Sequence, residues 1–65
     1  MEEQILDFLK KQHKNRIEIK ELILALRMTK VEKLKFLGSM KHFERLEKTY
    51  IRLNQRVYCC LQIIS

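Results

Sequence analysis

The stretch TYIRLNQRVYCCLQIIS, residues 49–65, contains the part of the chain in which apolar and polar residues alternate as they do in β-strands. It is rich in β-branched and aromatic residues, and Asn54-Gln55 interrupts it at a position that suits a tight turn. The pattern predicts a β-hairpin over these residues. Everything before it has the spacing of helices, apart from one short alternating segment.

The last predicted strand is apolar on both faces. Its inner face would carry Val57, Cys59, Leu61 and Ile63. A strand at a protein surface usually has polar residues on its outer face, but here Tyr58, Cys60 and Ile64 would lie there. The outer face is therefore a candidate interface, covered by a partner or by a second copy of the chain.

The residues before the hairpin predict two helices joined by a short strand. Apolar residues at helical spacing indicate a first helix over residues 2–12, and the alternation of residues 17–19 indicates an edge strand. A second helix is expected over residues 20–28. The unbroken apolar run at residues 22–26 predicts that this helix is buried on most of its circumference.

A third helix is predicted to begin at Lys30, because Thr29 and Glu32 have the spacing of a capping box. Over residues 30–48 the apolar residues form two stripes on nearly opposite sides, at about 100° per residue. One stripe is Val31, Leu34 and Leu37, and the other is Phe36, Met40 and Phe43. Either the helix breaks at Gly38-Ser39, or one stripe faces a partner. We expect a continuous, distorted helix that turns part of the second stripe toward the hairpin.

The chain is long enough for one domain, residues 1–65, with a small core. Hydrophobic residues make up 46% and charged residues 34%, which is typical of a folded chain. A core of this size supplies roughly 3–5 kcal/mol, so self-association is a realistic source of further stability. Adjacent Cys59 and Cys60 would point to opposite faces of a strand, so we expect two reduced thiols.

Membrane and enzymatic functions are not indicated. No apolar run approaches the roughly 20 residues that cross a bilayer, and the acidic Met1-Glu2-Glu3 start is unlike a signal peptide. We expect a cytoplasmic location, or a nuclear one in a eukaryote. The sequence has no Gly-rich phosphate loop, and its two histidines and two cysteines lack metal-ligand spacing. We therefore predict no catalytic residue, no metal site and no cofactor.

The net charge of +6 is unevenly distributed along the chain. Basic residues concentrate in residues 10–16, in residues 29–48 and in the hairpin. A fold that gathers these segments on one side would form a phosphate-binding surface. If the fold disperses them, the positive charge serves only solubility.

The order helix, short strand, helix, helix, hairpin resembles the winged helix-turn-helix superfamily over essentially the whole chain. Four segments carry the resemblance: ILDFLKK (5–11), RIEIKELILAL (16–26), TKVEKLKFL (29–37) and FERLEKTYIRLNQRVYCCL (43–61). The chain is similar in length and order to the N-terminal helix-turn-helix domain of ribonuclease R-type exonucleases and to Z-DNA-binding domains. The implied fold is an α+β winged helix, with three helices, a short first strand and a C-terminal hairpin.

The resemblance implies nucleic-acid binding by the third helix and the hairpin, with duplex DNA favoured over RNA. The domain would act as a small transcription regulator or as the N-terminal module of a larger protein. Such a surface holds phosphates with lysine and arginine side chains. The residues predicted to do so are Lys30, Lys33, Lys35 and Lys41 on the third helix, Arg52 and Arg56 on the hairpin, and Lys14 and Arg16 as further backbone contacts.

The alternative is a winged helix that binds protein and not nucleic acid. The segment EKTYIRL also looks like the C-terminal winged helix of cullins, in which the fold serves protein contacts. In this interpretation the domain is an interaction module or a homodimer. Its interface would consist of Phe36 and Met40 from the third helix, with Tyr58, Cys60 and Ile64 from the outer face of the last strand.

Overall fold

Three helices and a three-stranded antiparallel sheet form the fold, which confirms the predicted α+β class and the predicted element order. A computed structural model of the chain describes residues 1–64, so that Ser65, the end of the predicted hairpin segment, lies outside the described residues. The elements are α1 (Glu2–Lys11), β1 (Arg16–Glu18), α2 (Ile19–Ala25), α3 (Lys30–Ser39), a 3₁₀ turn (Met40–His42), β2 (Leu46–Leu53) and β3 (Arg56–Ile63).

The first two helices end in the same way, with a non-glycine residue in the left-handed region. His13 has φ of 53° and Arg27 has φ of 50°. In each case the next amide donates to a carbonyl five residues back: Lys14 to Leu9 at 3.0 Å, and Met28 to Ile23 at 3.2 Å. These bonds satisfy carbonyls that the helix end would leave free, and they stop both helices abruptly.

The third helix begins as predicted but ends earlier. The Thr29 hydroxyl accepts a hydrogen bond from the Glu32 amide at 3.2 Å, and the Glu32 carboxylate accepts one from the Thr29 amide at 2.9 Å. The helix stops at Ser39 and a 3₁₀ turn follows, so the prediction of a continuous helix to residue 48 is wrong. The break allows Phe43 to turn back toward Phe36, with the ring centres 6.4 Å apart.

The predicted burial of α2 is also wrong. Only Ile19 and Leu22 are buried, while Leu24 is 78% exposed and Leu26 is also exposed. The helix has seven residues and packs on the core from one side only, so the apolar run exceeds what the core can cover. Leu24 therefore lies at the surface.

The sheet has the strand order β1-β3-β2. β2 and β3 pair along their whole length, from Leu46 opposite Ile63 to Leu53 opposite Arg56. The turn between them is the predicted two-residue one: Asn54 and Gln55 have φ of 50° and 66°, as a type I′ turn requires. The hairpin starts three residues before the predicted Thr49, because Leu46 already pairs with Ile63.

The two faces of the sheet differ in burial. Leu61 on the inner face is fully buried, together with Ile17 and Leu46 beside it. The core combines these strand residues with residues of all three helices: Ile5, Leu9, Ile19, Leu22 and Phe36. At the turn end of the hairpin the inner face continues beyond the core, so Val57 is 64% exposed.

The start of α1 is fixed to the start of β2 by a carboxylate. The Glu2 side chain accepts hydrogen bonds from the amides of Arg45 and Leu46, at 2.7 and 3.1 Å. The Arg45 guanidinium also forms an ion pair with Glu3. These contacts hold acidic residues at the end of the domain away from the hairpin turn. Within residues 1–64, no helix combines the length and hydrophobicity that a membrane crossing needs.

Candidate functional site

The exposed face of α3 is apolar. Val31 is 62% exposed, Leu34 is 64% exposed and Leu37 is 41% exposed. Phe36 lies on the opposite side of the helix and is fully buried. Of the two apolar stripes in the sequence, the one that contains Phe36 packs in the core and the other is exposed to solvent.

Leu24 of α2 is a further exposed apolar side chain near α3. Leu24 and Ile23 line a shallow depression together with Lys20 and with Lys33 of α3, so this depression lies between the two helices. We call Val31, Leu34 and Leu37 together the α3 surface. Large apolar side chains that are contiguous and exposed usually mark a binding site.

Lysines surround the α3 surface. At about 100° per residue, Lys33 lies on one side of Leu34 and Lys35 lies on the other. Lys30 is one turn before Leu34, and all three lysines are exposed. The centre of this face is therefore apolar and its margin is positively charged.

Gly38 lies next to Leu34 on the same face, one turn later. Its φ is negative, and apart from its chain neighbours and the helix's own backbone no atom lies within 4 Å of the position that a Cβ would occupy. Neither backbone conformation nor crowding within the described chain requires glycine there. The absence of a side chain leaves the helix backbone open to close approach from outside.

A groove of about 540 Å³ lies between the end of α3 and the hairpin. Its apolar lining includes Leu37, which also belongs to the α3 surface, and Met40 and Val57. Three cations line it, Lys20, Lys48 and Arg56, against the single carboxylate of Glu18. The groove thus continues both the apolar and the basic character of the α3 surface.

Lys48 is held in place by Tyr50 on the same strand face. The ammonium nitrogen lies 5.5 Å from the centre of the Tyr50 ring. A hydrogen bond to the Tyr50 side chain, and then its charge interaction with that group, raise the pKa of Lys48 above the ordinary lysine value. Lys48 therefore remains cationic at neutral pH.

The residues predicted to bind nucleic acid do not gather on one surface. Lys30, Lys33 and Lys35 surround the α3 surface, and Lys41 is exposed in the 3₁₀ turn. Arg16 lies on the outer sheet face, opposite the face on which Phe36 of α3 packs. Lys14 lies 4.0 Å from the carboxylate of Glu21, which partly neutralises it.

The two hairpin arginines are exposed near the turn, as predicted. Arg52 pairs with Val57 and Arg56 pairs with Leu53, so the register places the two arginines on opposite faces of the hairpin. Of the pair, Arg56 lines the groove. Lys20 and Lys48 also line it, although their positions in the sequence do not indicate this.

The predicted protein interface needs two corrections. Phe36 is fully buried in the core and Cys60 is also buried, so neither side chain offers an exposed surface to a partner. Met40 is half-buried and lines the groove. Tyr58 and Cys60 lie on the outer sheet face with half-buried and buried side chains, and Ile64 is exposed beyond the end of β3. The exposed stripe of Val31, Leu34 and Leu37 is visible in the sequence, but its spacing does not distinguish it from the stripe that contains Phe36.

The cysteines are free thiols in different surroundings. Cys59 is half-buried, and Cys60 is buried, where desolvation raises the pKa of its thiol. Among the residues that the structure describes, no three His, Cys, Asp or Glu side chains are placed to hold a metal ion.

Comparison with protein-family models, with curated proteins and with solved structures finds no match to this chain.

Proposed function

We propose that this domain is a winged helix that binds an acidic segment of another protein on the α3 surface. The helix order, the strand order β1-β3-β2 and the two-residue hairpin turn are compatible with a winged helix. The main support for the proposed binding function is the exposure of Val31, Leu34 and Leu37 on the outward face of the third helix.

An apolar centre with a polar margin is the usual anatomy of a protein interface. Leu34, at 64% exposed, would release about 1–2 kcal/mol on burial, and Val31 and Leu37 would add to it. The edges of bases in a DNA groove mainly offer hydrogen-bonding groups. The outermost positions of α3 hold Leu34, Val31 and Gly38, whose side chains cannot form such bonds.

The charge around the α3 surface favours an acidic partner. Lys30, Lys33 and Lys35 would approach carboxylates at the margin of the interface, and the apolar centre would exclude water from them. A second copy is the less favourable partner, because two copies facing each other would bring their lysines together. The net charge of +6 adds to that repulsion.

A peptide library tests the proposal. A phage-displayed library of random dodecamers, panned on the immobilised domain, should enrich peptides that combine acidic with large apolar residues. Fluorescence polarisation of the tightest dodecamer should then show binding about 5–30-fold weaker to Leu34→Ser, which corresponds to the lost burial.

The matched control is Leu53→Ser, since Leu53 is 58% exposed but lies on the hairpin away from α3. Binding to this variant should remain within twofold of the original chain. Failure to enrich any dodecamer, or equal losses in the two variants, would contradict the proposal.

Nucleic-acid binding is the second candidate, and the cations of the groove favour it. Lys20, Lys48 and Arg56 could hold a phosphate backbone between α3 and the hairpin. In that case a labelled DNA duplex binds with a logarithmic affinity that falls by about 0.9 per neutralised phosphate against the logarithm of salt concentration. Absence of binding to duplex DNA, duplex RNA and single strands at low salt would eliminate this candidate.

A further inference from the structure

One edge of β3 is only partly paired. β2 covers the whole length of β3 on one side, but on the other side β1 pairs only with Cys60, Leu61 and Gln62. Among the described residues, the part of β3 from Arg56 to Cys59 therefore has no strand partner on the β1 side. A partly paired edge exposes backbone donors and acceptors that another strand can use.

The register shows which backbone groups face this open edge. Arg56 pairs with Leu53 next to the two-residue turn, so the amide and carbonyl of Arg56 face β2. Along β3 the backbone groups of successive residues then face β2 and the β1 side in turn. The Ile63 amide donates to the Asn15 carbonyl at 2.9 Å, on the β1 side, as the alternation requires. Val57 thus directs its amide and carbonyl toward the open edge.

The chain itself cannot extend β1 along this edge. β1 ends at Glu18, because Ile19 is the first residue of α2 and its side chain is buried in the core. The space that an extended β1 would occupy borders the groove between α3 and the hairpin, which four consecutive β3 residues, from Arg56 to Cys59, help to line.

We propose that the acidic segment binds as an added strand on this open edge of β3, in line with β1. This inference rests on the proposed function and specifies the conformation of the partner. Main-chain hydrogen bonds to Val57 would position the segment, as in other cases of strand addition. Because successive side chains of a strand point to opposite faces, every second one would enter the groove toward Leu37 and Met40.

The charge of the groove determines what the added strand carries. Lys20, Lys48 and Arg56 outnumber Glu18, so carboxylates near the groove are favoured. The segment is therefore extended, with large apolar residues at alternate positions and acidic residues nearby. Leu37 lies in both the groove and the α3 surface, so one segment contacts both.

Backbone methylation of the tightest dodecamer from the library tests this geometry. Methylating one peptide nitrogen at a time removes a donor without changing any side chain. For an added strand, methylation at every second position should weaken binding at least tenfold within the paired stretch, while the intervening positions tolerate it. A helical dodecamer, or one held by side chains alone, would not show this two-residue period.

Amide hydrogen exchange of the protein gives a second readout. The Val57 amide should exchange at least tenfold more slowly when the dodecamer is bound. The Arg52 amide is the control, because the register directs it toward the opposite edge of the hairpin. Its exchange should stay unchanged.

The two proposals fail in different ways. A dodecamer that binds with sensitivity to Leu34→Ser, but without the two-residue period and without protection of Val57, would overturn strand addition and leave the proposed function standing. Failure to select any binding dodecamer would overturn both.

Discussion

Exchanging one residue in each apolar stripe of α3 distinguishes the helix face that holds the fold together from the face that is free to bind. Phe36 is fully buried, so Phe36→Leu removes core volume and should lower the free energy of unfolding by about 1–2 kcal/mol. Leu34 is 64% exposed, and Leu34→Ser should change that free energy by no more than about 0.5 kcal/mol. The free energy of unfolding of a domain of this size is roughly 3–5 kcal/mol in total, so Phe36→Leu should stay folded but be measurably less stable.

Urea denaturation followed by far-ultraviolet circular dichroism measures both effects. If the free energy of unfolding falls by about 1 kcal/mol per molar urea, the urea concentration at the unfolding midpoint should fall by about 1–2 M for Phe36→Leu and by at most about 0.5 M for Leu34→Ser. If Leu34→Ser lowered the midpoint as much as Phe36→Leu, then Leu34 would be packed in the core. The α3 surface would not then exist as described.

Three sites offer further tests of the local structure: the turn at Gln55, the cap formed by Thr29 and Glu32, and the Cys60 thiol. Gln55→Gly should raise the free energy of unfolding by about 1 kcal/mol, because Gln55 has φ of 66° and glycine adopts that conformation without strain. An unchanged urea midpoint would contradict the turn geometry. Thr29→Ala should cost about 1 kcal/mol through loss of the cap. The hydrogen bond that the Thr29 backbone amide donates to the Glu32 carboxylate lowers the folded-state pKa of Glu32. The charged cap therefore contributes fully above the ordinary glutamate pKa, and its contribution is lost as the pH falls through the lower folded-state value. Glu32→Gln removes this titrating group, so its stability in acid should depend less on pH, and an unchanged pH profile would argue against the cap. Burial raises the pKa of the Cys60 thiol, so the free energy of unfolding should fall as the pH rises above the ordinary thiol pKa. Iodoacetamide should modify Cys59 before Cys60 at pH 8. Equal modification rates in the folded protein would contradict the burial of Cys60.

The features that could be predicted from the sequence are those that depend on neighbouring residues. The turn at Asn54-Gln55 and the cap formed by Thr29 and Glu32 each involve residues at most three positions apart, and both are present. The alternation of β3 also predicted correctly that Leu61 belongs to the inner face. Local backbone chemistry was sufficient for these features.

The division of α3 into a buried and an exposed stripe depends on distant contacts. Both stripes are apolar, so periodicity alone could not decide between Phe36 and Leu34. Phe36 is the buried residue because α3 packs on the sheet with that side toward Leu46 and Leu61. The position of α3 on the sheet depends on the whole topology. The break after Ser39 has a similar origin, since it brings Phe43 back toward Phe36.

The groove was beyond prediction for the same reason. Lys20, Lys48 and Arg56 come from three elements, and only the strand order β1-β3-β2 brings them together. Conversely, Arg16 and Lys33 both count toward the net charge but lie on different sides of the domain. The total charge of a small chain therefore does not indicate where a polyanion would bind.

Binding of an acidic, apolar segment to the α3 surface is tested most directly by following leucine methyl resonances during titration with the selected dodecamer. We expect the methyl resonances of Leu34 and Leu37 to shift progressively until saturation, while those of Leu53, on the hairpin, stay unchanged. Shifts at Leu53 with no change at Leu34 and Leu37 would contradict binding at the α3 surface and would place the binding site on the outer face of the sheet.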